Sequence, residues 1–277
     1  MKTGCTLLIS TYNRPDALEL CLKSVMLQSI MPQEVIIADD GSKDDTRALV
    51  ERYQKIVHVP FIHVWHPDEG FQLAKIRNRG IAKASQPYII QIDGDLILHK
   101  HFIKDHLQIS ERSYFVSGSR VLLSQLTTNK LLQQNSIDVL LHNKGSKNHF
   151  NKLRNGFLRN FLSTRYKVSG RNKYYVKGCN MAFWKDDLLK VNGYNEKLTG
   201  WGKEDSELAI RLINAGVQKK FLKMGGITYH LYHPEASRDN EEMNTRFMND
   251  AIESGSVWAD HGLDQYLQQN QNNQFTG

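Results

Sequence analysis

The stretch YIIQIDGDLI, residues 88–97, decides how the whole chain is read. Tyr88 to Ile92 is almost continuously apolar, the pattern of a strand buried on both faces, and it ends by delivering Asp93 and Asp95 with only Gly94 between them. In extended backbone, residues two apart point to one side, so both carboxylates can converge on one object that the glycine lets come close. Three runs upstream have the same form: TLLIS (6–10), EVIIA (34–38) and FIHVW (61–65). Between them the spacing is helical: Leu18, Cys21, Leu22 and Val25; then DDGSKDDTRALVERY, with Ser42 and Asp45 spaced as a capping box; then Leu73, Ile76, Gly80, Ile81 and Ala84. Strands alternating with helices predict an α/β fold with one Rossmann-like, mostly parallel sheet flanked by helices. Such sheets bind ligands beyond the carboxyl ends of their strands. There the sequence puts TYNRP, DDGS, WHPDEG and DGD.

The 277 residues divide on this reading into a ligand-binding half (1–100), a second half (101–235) and a C-terminal helix with a polar tail (236–277). The Gln/Asn-rich end, QYLQQNQNNQFTG, is expected to fray. Cys5, Cys21 and Cys179 form no CxxC and read as small buried hydrophobes. No apolar run approaches about 18 residues, and MKTGCTLLIS turns polar too soon for a signal peptide, which predicts a cytoplasmic chain that does not span a membrane. Neither GxGxxG nor GxxxxGK[ST] occurs, so a diphosphate held beside these carboxylates needs a divalent cation between them. Oxygen ligands from Asp93 and Asp95 suit Mn²⁺ or Mg²⁺. Taken alone, Asp-Gly-Asp is also compatible with a solvated turn.

The order STYNRP, ADDGSKDDT, DEGFQLAKIRNRGI, QIDGDLIL and GWGKEDSEL resembles the family 2 glycosyltransferases of the GT-A fold, over roughly residues 4 to 235. The last motif also resembles the C-terminal region of β-1,4-galactosyltransferases and bacterial chondroitin-type polymerases. The resemblance implies inverting, metal-dependent transfer of a hexose or N-acetylhexosamine from a UDP-sugar to a saccharide or lipid-linked saccharide, in surface polysaccharide or lipopolysaccharide synthesis. It implies that Asp40 faces the uracil edge with Asp39 alongside, and that Thr11, Asn13 and Arg14 surround the nucleotide. Arg77 pairs with the diphosphate or neighbouring carboxylates, Asp93 lies near the ribose and donor sugar, and Asp95 binds the metal. His230, at the end of a strand read from GITYH, is the preferred further ligand, with His233 as the alternative. Asp205 aligns with the catalytic base and Glu204 with a hydroxyl ligand, both in the first turn of a helix. Trp201, between Gly200 and Gly202, offers a flat surface for a sugar, and Asn180 is the polar candidate in VKGCNMAFW.

Other classes share parts of this pattern. Paired aspartates also serve metal-dependent phosphohydrolases and nucleotidyltransferases, and Trp201 alone would suit a non-catalytic carbohydrate-binding protein. The charge adds a separate signal: eleven of the 36 Lys and Arg, and none of the 29 Asp and Glu, lie between Val139 and Lys185, so the remainder is net acidic. Within it, Phe150, Leu153, Phe157, Leu158 and Phe161 fall at helical spacing in a basic amphipathic segment, 147–167. Two readings stand: a peripheral contact with the inner face of the cell membrane, or a stripe packed on the chain's own sheet or a partner subunit. No base-reading motif accompanies these charges, so nucleic acid is not an expected partner.

Overall fold

The computed structural model describes residues 4–139, 146–234 and 237–267. Four strands, β1 (Cys5–Thr11), β2 (Glu34–Asp39), β3 (Phe61–Trp65) and β4 (Tyr88–Asp93), lie parallel, with β1 between β2 and β4. β6 (Tyr114–Ser117), β8 (Asn180–Trp184) and β9 (Gln218–Phe221) complete a seven-stranded sheet of order β3-β2-β1-β4-β8-β6-β9, in which β8 alone runs antiparallel to its neighbours. A second sheet of three short strands, β5 (Leu96–Leu98), β10 (Thr228–His230) and β7 (Val121–Leu122), stands beside the end of β4.

The helices are α1 (Pro15–Met26), α2 (Asp44–Gln54), α3 (Leu73–Lys83), α4 (Phe102–Ile109), α5 (Gln125–Gln133), α6 (Gly156–Ser163), α7 (Lys185–Lys190), α8 (Glu204–Asn214) and α9 (Glu241–Glu253). Strand alternation divides the core: Leu7 and Ile9 pack with Leu18, Leu22, Val50 and Phe102 on one face, while Leu8, Ile36 and Ala38 meet Ala74, Ile76, Ile81 and Leu208 on the other. All three cysteines are buried and unpaired, as expected.

Two expectations change, and a third is not reached. Ser42 does not cap α2; its hydroxyl accepts from the Asn13 amide at 2.8 Å, stitching the loops after β1 and β2, and α2 begins one residue after Lys43 without a side-chain cap. The expected fraying of the tail falls on residues 268–277, which lie outside the described residues; just before them Tyr266 Oη lies 2.9 Å from Glu196 Oε2 and Leu267 packs against the core. The stripe in 147–167 is not one helix. A 3-10 turn (His149–Lys152) and α6 are separated by extended Leu153, and the five apolar side chains are exposed rather than packed on the sheet.

Asn180 opens β8 but is fully buried and faces the scaffold, not a sugar: its amide donates to Ser119 O (2.9 Å) and Gly226 O (3.1 Å), and its Oδ1 accepts from His106 Nε2 (2.9 Å). Burial pushes the His106 imidazole down to about 4. A histidine depressed this way favours the folded state fully above its ordinary value near 6.5, and that contribution is lost as pH falls toward 4. Urea unfolding at about pH 7 and about pH 5 is therefore expected to show a loss on acidification that is smaller by about 2 kcal/mol in His106→Gln than in the native chain. Equal losses in the two proteins would show that His106 titrates normally when folded.

Candidate active site

The carboxyl ends of β1, β2, β3 and β4 form one edge. After β1, Tyr12 Oη donates to Asp68 at 2.8 Å, and Asn13 Oδ1 accepts from the Lys43 amide at 3.0 Å. Thr11 lies at the end of β1, and its carbonyl accepts from Asp40 N at 3.0 Å. Asp39 and Asp40 are buried and already held: Asp39 by Ser42 N and His63 Nε2 (both 2.9 Å), Asp40 by His66 Nε2 (2.8 Å) and Gln72 N (2.9 Å). A carboxylate oxygen accepts more than one bond, so both keep capacity for a ligand while their orientation is fixed. His63 and His66 were not singled out in the sequence, although ionisable residues in and just after an apolar strand signal a buried partner.

Asp93 and Asp95 do not converge on one object. β4 stops at Asp93 and the chain turns at Gly94 and Asp95 before β5, so the two-residue periodicity of a strand does not apply. Asp93 is held by Arg77 Nη2 at 3.0 Å, whereas Asp95 is paired with Arg14 Nη1 at 3.2 Å.

Asp95 belongs instead to a second group. β10 pairs with β5 in a register that sets His230 against Leu96, and Leu231 N donates to Asp95 O at 3.0 Å. His230 Nε2 then lies 3.7 Å from Asp95 Oδ1 and His233 Nε2 3.3 Å from Oδ2, so the two histidines are not alternatives: both face the carboxylate. Their Nδ1 atoms lie 2.9 Å from Leu231 O and 2.7 Å from Pro234 O, which places a proton on each Nδ1 and leaves each Nε2 with a lone pair. Burial pushes His230 down to about 4, keeping it neutral. Asp95 Oδ1 is buried without a hydrogen-bond partner. Lone pairs facing a carboxylate, with one carboxylate oxygen unpaired, fit a cation; Asp95, His230 and His233 offer ligand atoms within 4.8 Å of one another.

The third group surrounds Arg77, which lies on α3 with 1% of its side chain exposed, and is not a surface residue. Its Nη1 donates to Asp205 Oδ1 at 2.9 Å and its Nε to Ser10 Oγ at 3.2 Å, with Glu204 Oε1 3.9 Å away. Tyr194 Oη lies 3.2 Å from the same Asp205 oxygen and 2.9 Å from Gln91 Oε1, and Gln91 Nε2 donates to Gly178 O at 3.1 Å. Asp205 Oδ2 is left without a partner among the described residues. It sits where a side chain at residue 178 would begin, 1.6 Å from the position of a Cβ, so Gly178 is required for the carboxylate to lie there. Glu204 Oε2 is buried and unpaired, and burial together with the Asp205 charge pushes its carboxyl up. The Gly200-Trp201-Gly202 loop precedes α8; Trp201 is exposed, with the Arg238 guanidinium 4.9 Å from its ring centroid and sharing one face. Gln91, Gly178, Tyr194 and Arg120 escaped the sequence reading. A glutamine inside an apolar strand was a signal; the others are assembled only by the fold. Arg120, after β6, sets Nη1 3.1 Å from Cys179 Sγ, and its charge acts on Asp93 and Asp95.

Residues 6–189 match the glycosyl transferase family 2 model and residues 159–234 that of the N-terminal domain of galactosyltransferase. The chain is 26% identical to the chondroitin synthase of Escherichia coli over 86% of its own length and 36% of that protein. It is 25% identical to the validoxylamine A glucosyltransferase of Streptomyces hygroscopicus subsp. limoneus over 76% of its length and 48% of that enzyme. It thus spans about a third and about half of these two relatives. The crystal structure of S. aureus TarS 1-349 in complex with UDP superposes with a TM-score of 0.64 at 18% identity, covering 99% of this chain and 72% of that one, which identifies the fold as α/β of the same kind. A sheet edge built from these motifs in this order, matched by a model over more than half of the residues, is that of a family member: the chain belongs to glycosyl transferase family 2.

Proposed function

We propose that the chain transfers a hexose or N-acetylhexosamine from a UDP-sugar to a saccharide or lipid-linked saccharide hydroxyl, with inversion, in the synthesis of a surface polysaccharide or lipopolysaccharide. The observation that carries this is Asp205: one oxygen is fixed by Arg77 and Tyr194, and the other is free against Gly178 at the same edge as Asp95, His230 and His233. The synthase and glucosyltransferase relatives, and neighbouring TarS structures with UDP and UDP-GlcNAc, support the donor class. A phosphohydrolase would have no need for a separate, unpaired carboxylate beside an exposed tryptophan.

In this reading, Asp40 with His66 fixed behind it accepts from the uracil edge, with Asp39 alongside, and Thr11, Asn13 and Arg14 line the nucleotide. Asp95, His230 and His233 would hold a divalent cation, which when bound neutralises charge developing on the departing UDP. One carboxylate with two imidazoles leans from Mg²⁺ toward Mn²⁺. Asp93, held by Arg77, borders the ribose and donor sugar. The acceptor hydroxyl approaches Asp205 Oδ2, which takes its proton as the anomeric bond forms. Arg77 and Tyr194 keep the other oxygen in place, so the base does not swing away. Glu204, its carboxyl shifted toward the neutral form, has a proton to donate to a sugar oxygen. Trp201 offers its remaining face to a sugar ring. Among the described residues no helix is long and apolar enough to cross a membrane; a lipid-linked acceptor would be met at the inner surface of the cell membrane, peripherally.

Three outcomes test the reading. Asp205→Asn is expected to lower kcat by roughly 100-fold or more at nearly unchanged UDP affinity measured by calorimetry; a matching loss of UDP affinity would move Asp205 to the donor site. Gly178→Ala should reproduce that split with Asp205 intact, because the new methyl group displaces its carboxylate; wild-type turnover would mean Asp205 Oδ2 need not lie there. Asp95→Asn should abolish Mn²⁺ binding followed by electron paramagnetic resonance, and with it Mn²⁺-dependent UDP binding. Unaltered Mn²⁺ affinity in that variant, or full transfer in EDTA, would remove the cation from the site.

A further inference from the structure

We infer that the apolar face of α6 and of the turn before it docks on an anionic lipid bilayer. This helix is inside out. On an ordinary surface helix the apolar side packs inward and the polar side meets water. On α6 the inward residues are Arg159 and Ser163, both buried, while Phe157 (80% exposed), Phe161 (50%) and Leu158 point outward. Phe150, 78% exposed, and Leu153, in and just after the preceding turn, are exposed as well. The cause is Asp105, fully buried on α4. Its carboxylate accepts from Arg159 Nη1 at 2.7 Å, from Arg154 Nη2 and Nε at 2.8 and 3.0 Å, and from Gly226 N at 3.1 Å. With Arg159 committed inward, the residues half a turn away have to face outward. Five large apolar side chains left exposed between residues 150 and 161 mark an interaction site.

The charge around the patch selects the occupant. Between Val139 and Lys185 there is no Asp or Glu, and Lys147, Lys152 and Arg165 make no ion pair among the described residues. Arg165 lies 4.4 Å from the Phe161 ring centroid, its cation at the edge of the apolar surface. A second copy of this chain would bring the same uncompensated positive charge against itself. A bilayer bearing anionic headgroups accepts both components, rings among the upper acyl chains and cations against phosphates. The position also suits a lipid-borne substrate: Asn151 Nδ2, in the turn carrying Phe150, donates to Arg120 O at 2.8 Å, and the Arg120 charge acts on Asp93 and Asp95. That last step rests on the transferase reading; the docking does not.

Co-sedimentation of the chain with vesicles of phosphatidylglycerol in phosphatidylcholine, without donor or acceptor, tests it. Binding is expected with anionic vesicles at low salt, and not with phosphatidylcholine alone or at high salt. Lys147→Gln, Lys152→Gln and Arg165→Gln should each weaken it about five-fold. Phe157→Ser with Phe161→Ser should weaken it at least about ten-fold without changing the thermal midpoint. Arg154 and Arg159 are left intact because they hold Asp105. Three results overturn the proposal: wild-type protein that stays in the supernatant at low salt, a double Phe variant destabilised like a core variant, or a dimer that this variant dissociates. Absent vesicle binding with intact transfer to a soluble saccharide would overturn docking alone, whereas vesicle binding without transfer would overturn only the transferase reading.

Discussion

The site depends on one buried cation. Arg77 is enclosed where β1, β4, α3 and α8 meet, with Ser10, Asp93 and Asp205 on its nitrogens and the Tyr194 ring centroid 5.3 Å from its guanidinium carbon. An isolated guanidinium there would cost several kcal/mol of desolvation, so it is tolerable only while its carboxylates stay in place. Asp93 ends the strand that leads into the donor edge, and Asp205 opens the helix of the proposed base. Through Arg77, the two are parts of one electrostatic unit although 112 positions apart in the sequence.

The same accounting of charge supports the cation proposed at Asp95. Asp93, Asp95, Glu204 and Asp205 face Arg14, Arg77 and Arg120, and the upward shift of Glu204 brings the two signs close to balance. A diphosphate entering this edge adds negative charge with no further arginine to meet it. A divalent ion on Asp95, His230 and His233 restores the balance where both Nε2 lone pairs and an unpaired carboxylate oxygen already point. On the proposed reading the site suits the sum of donor and metal rather than either alone.

The order of the first four strands and the helices between them was legible because burial on both faces writes β1, β2 and β4 as apolar runs of five or six residues, and the half-buried edge strand β3 keeps the same form. Asp205 and Glu204 at a helix start, and His230 at a strand end, were legible for the same local reason. What was not legible depended on tertiary placement. The two-residue rule for Asp93 and Asp95 failed because a turn at Gly94 intervenes, which separated ligands that periodicity had joined. His233, named only as the alternative to His230, faces Asp95 together with it through the path of the chain after β10. Asn180 looked like a sugar ligand from its motif, yet its amide is consumed by His106, Ser119 and Gly226.

The basic segment illustrates the same limit in reverse. Its pattern of aromatic and cationic residues is that of an ordinary amphipathic helix, and nothing local says which side turns inward. Asp105 does, from about 50 residues upstream on α4. A buried carboxylate without cations would be strongly disfavoured, whereas phenylalanines left in water each forgo only about 1.5–3 kcal/mol. Satisfying the carboxylate therefore wins, and the aromatic side is turned out to solvent as its consequence. Two of the eleven basic residues are committed to Asp105 by this arrangement, Arg159 buried and Arg154 partly exposed, while Arg165 stays at the edge of the Phe161 ring.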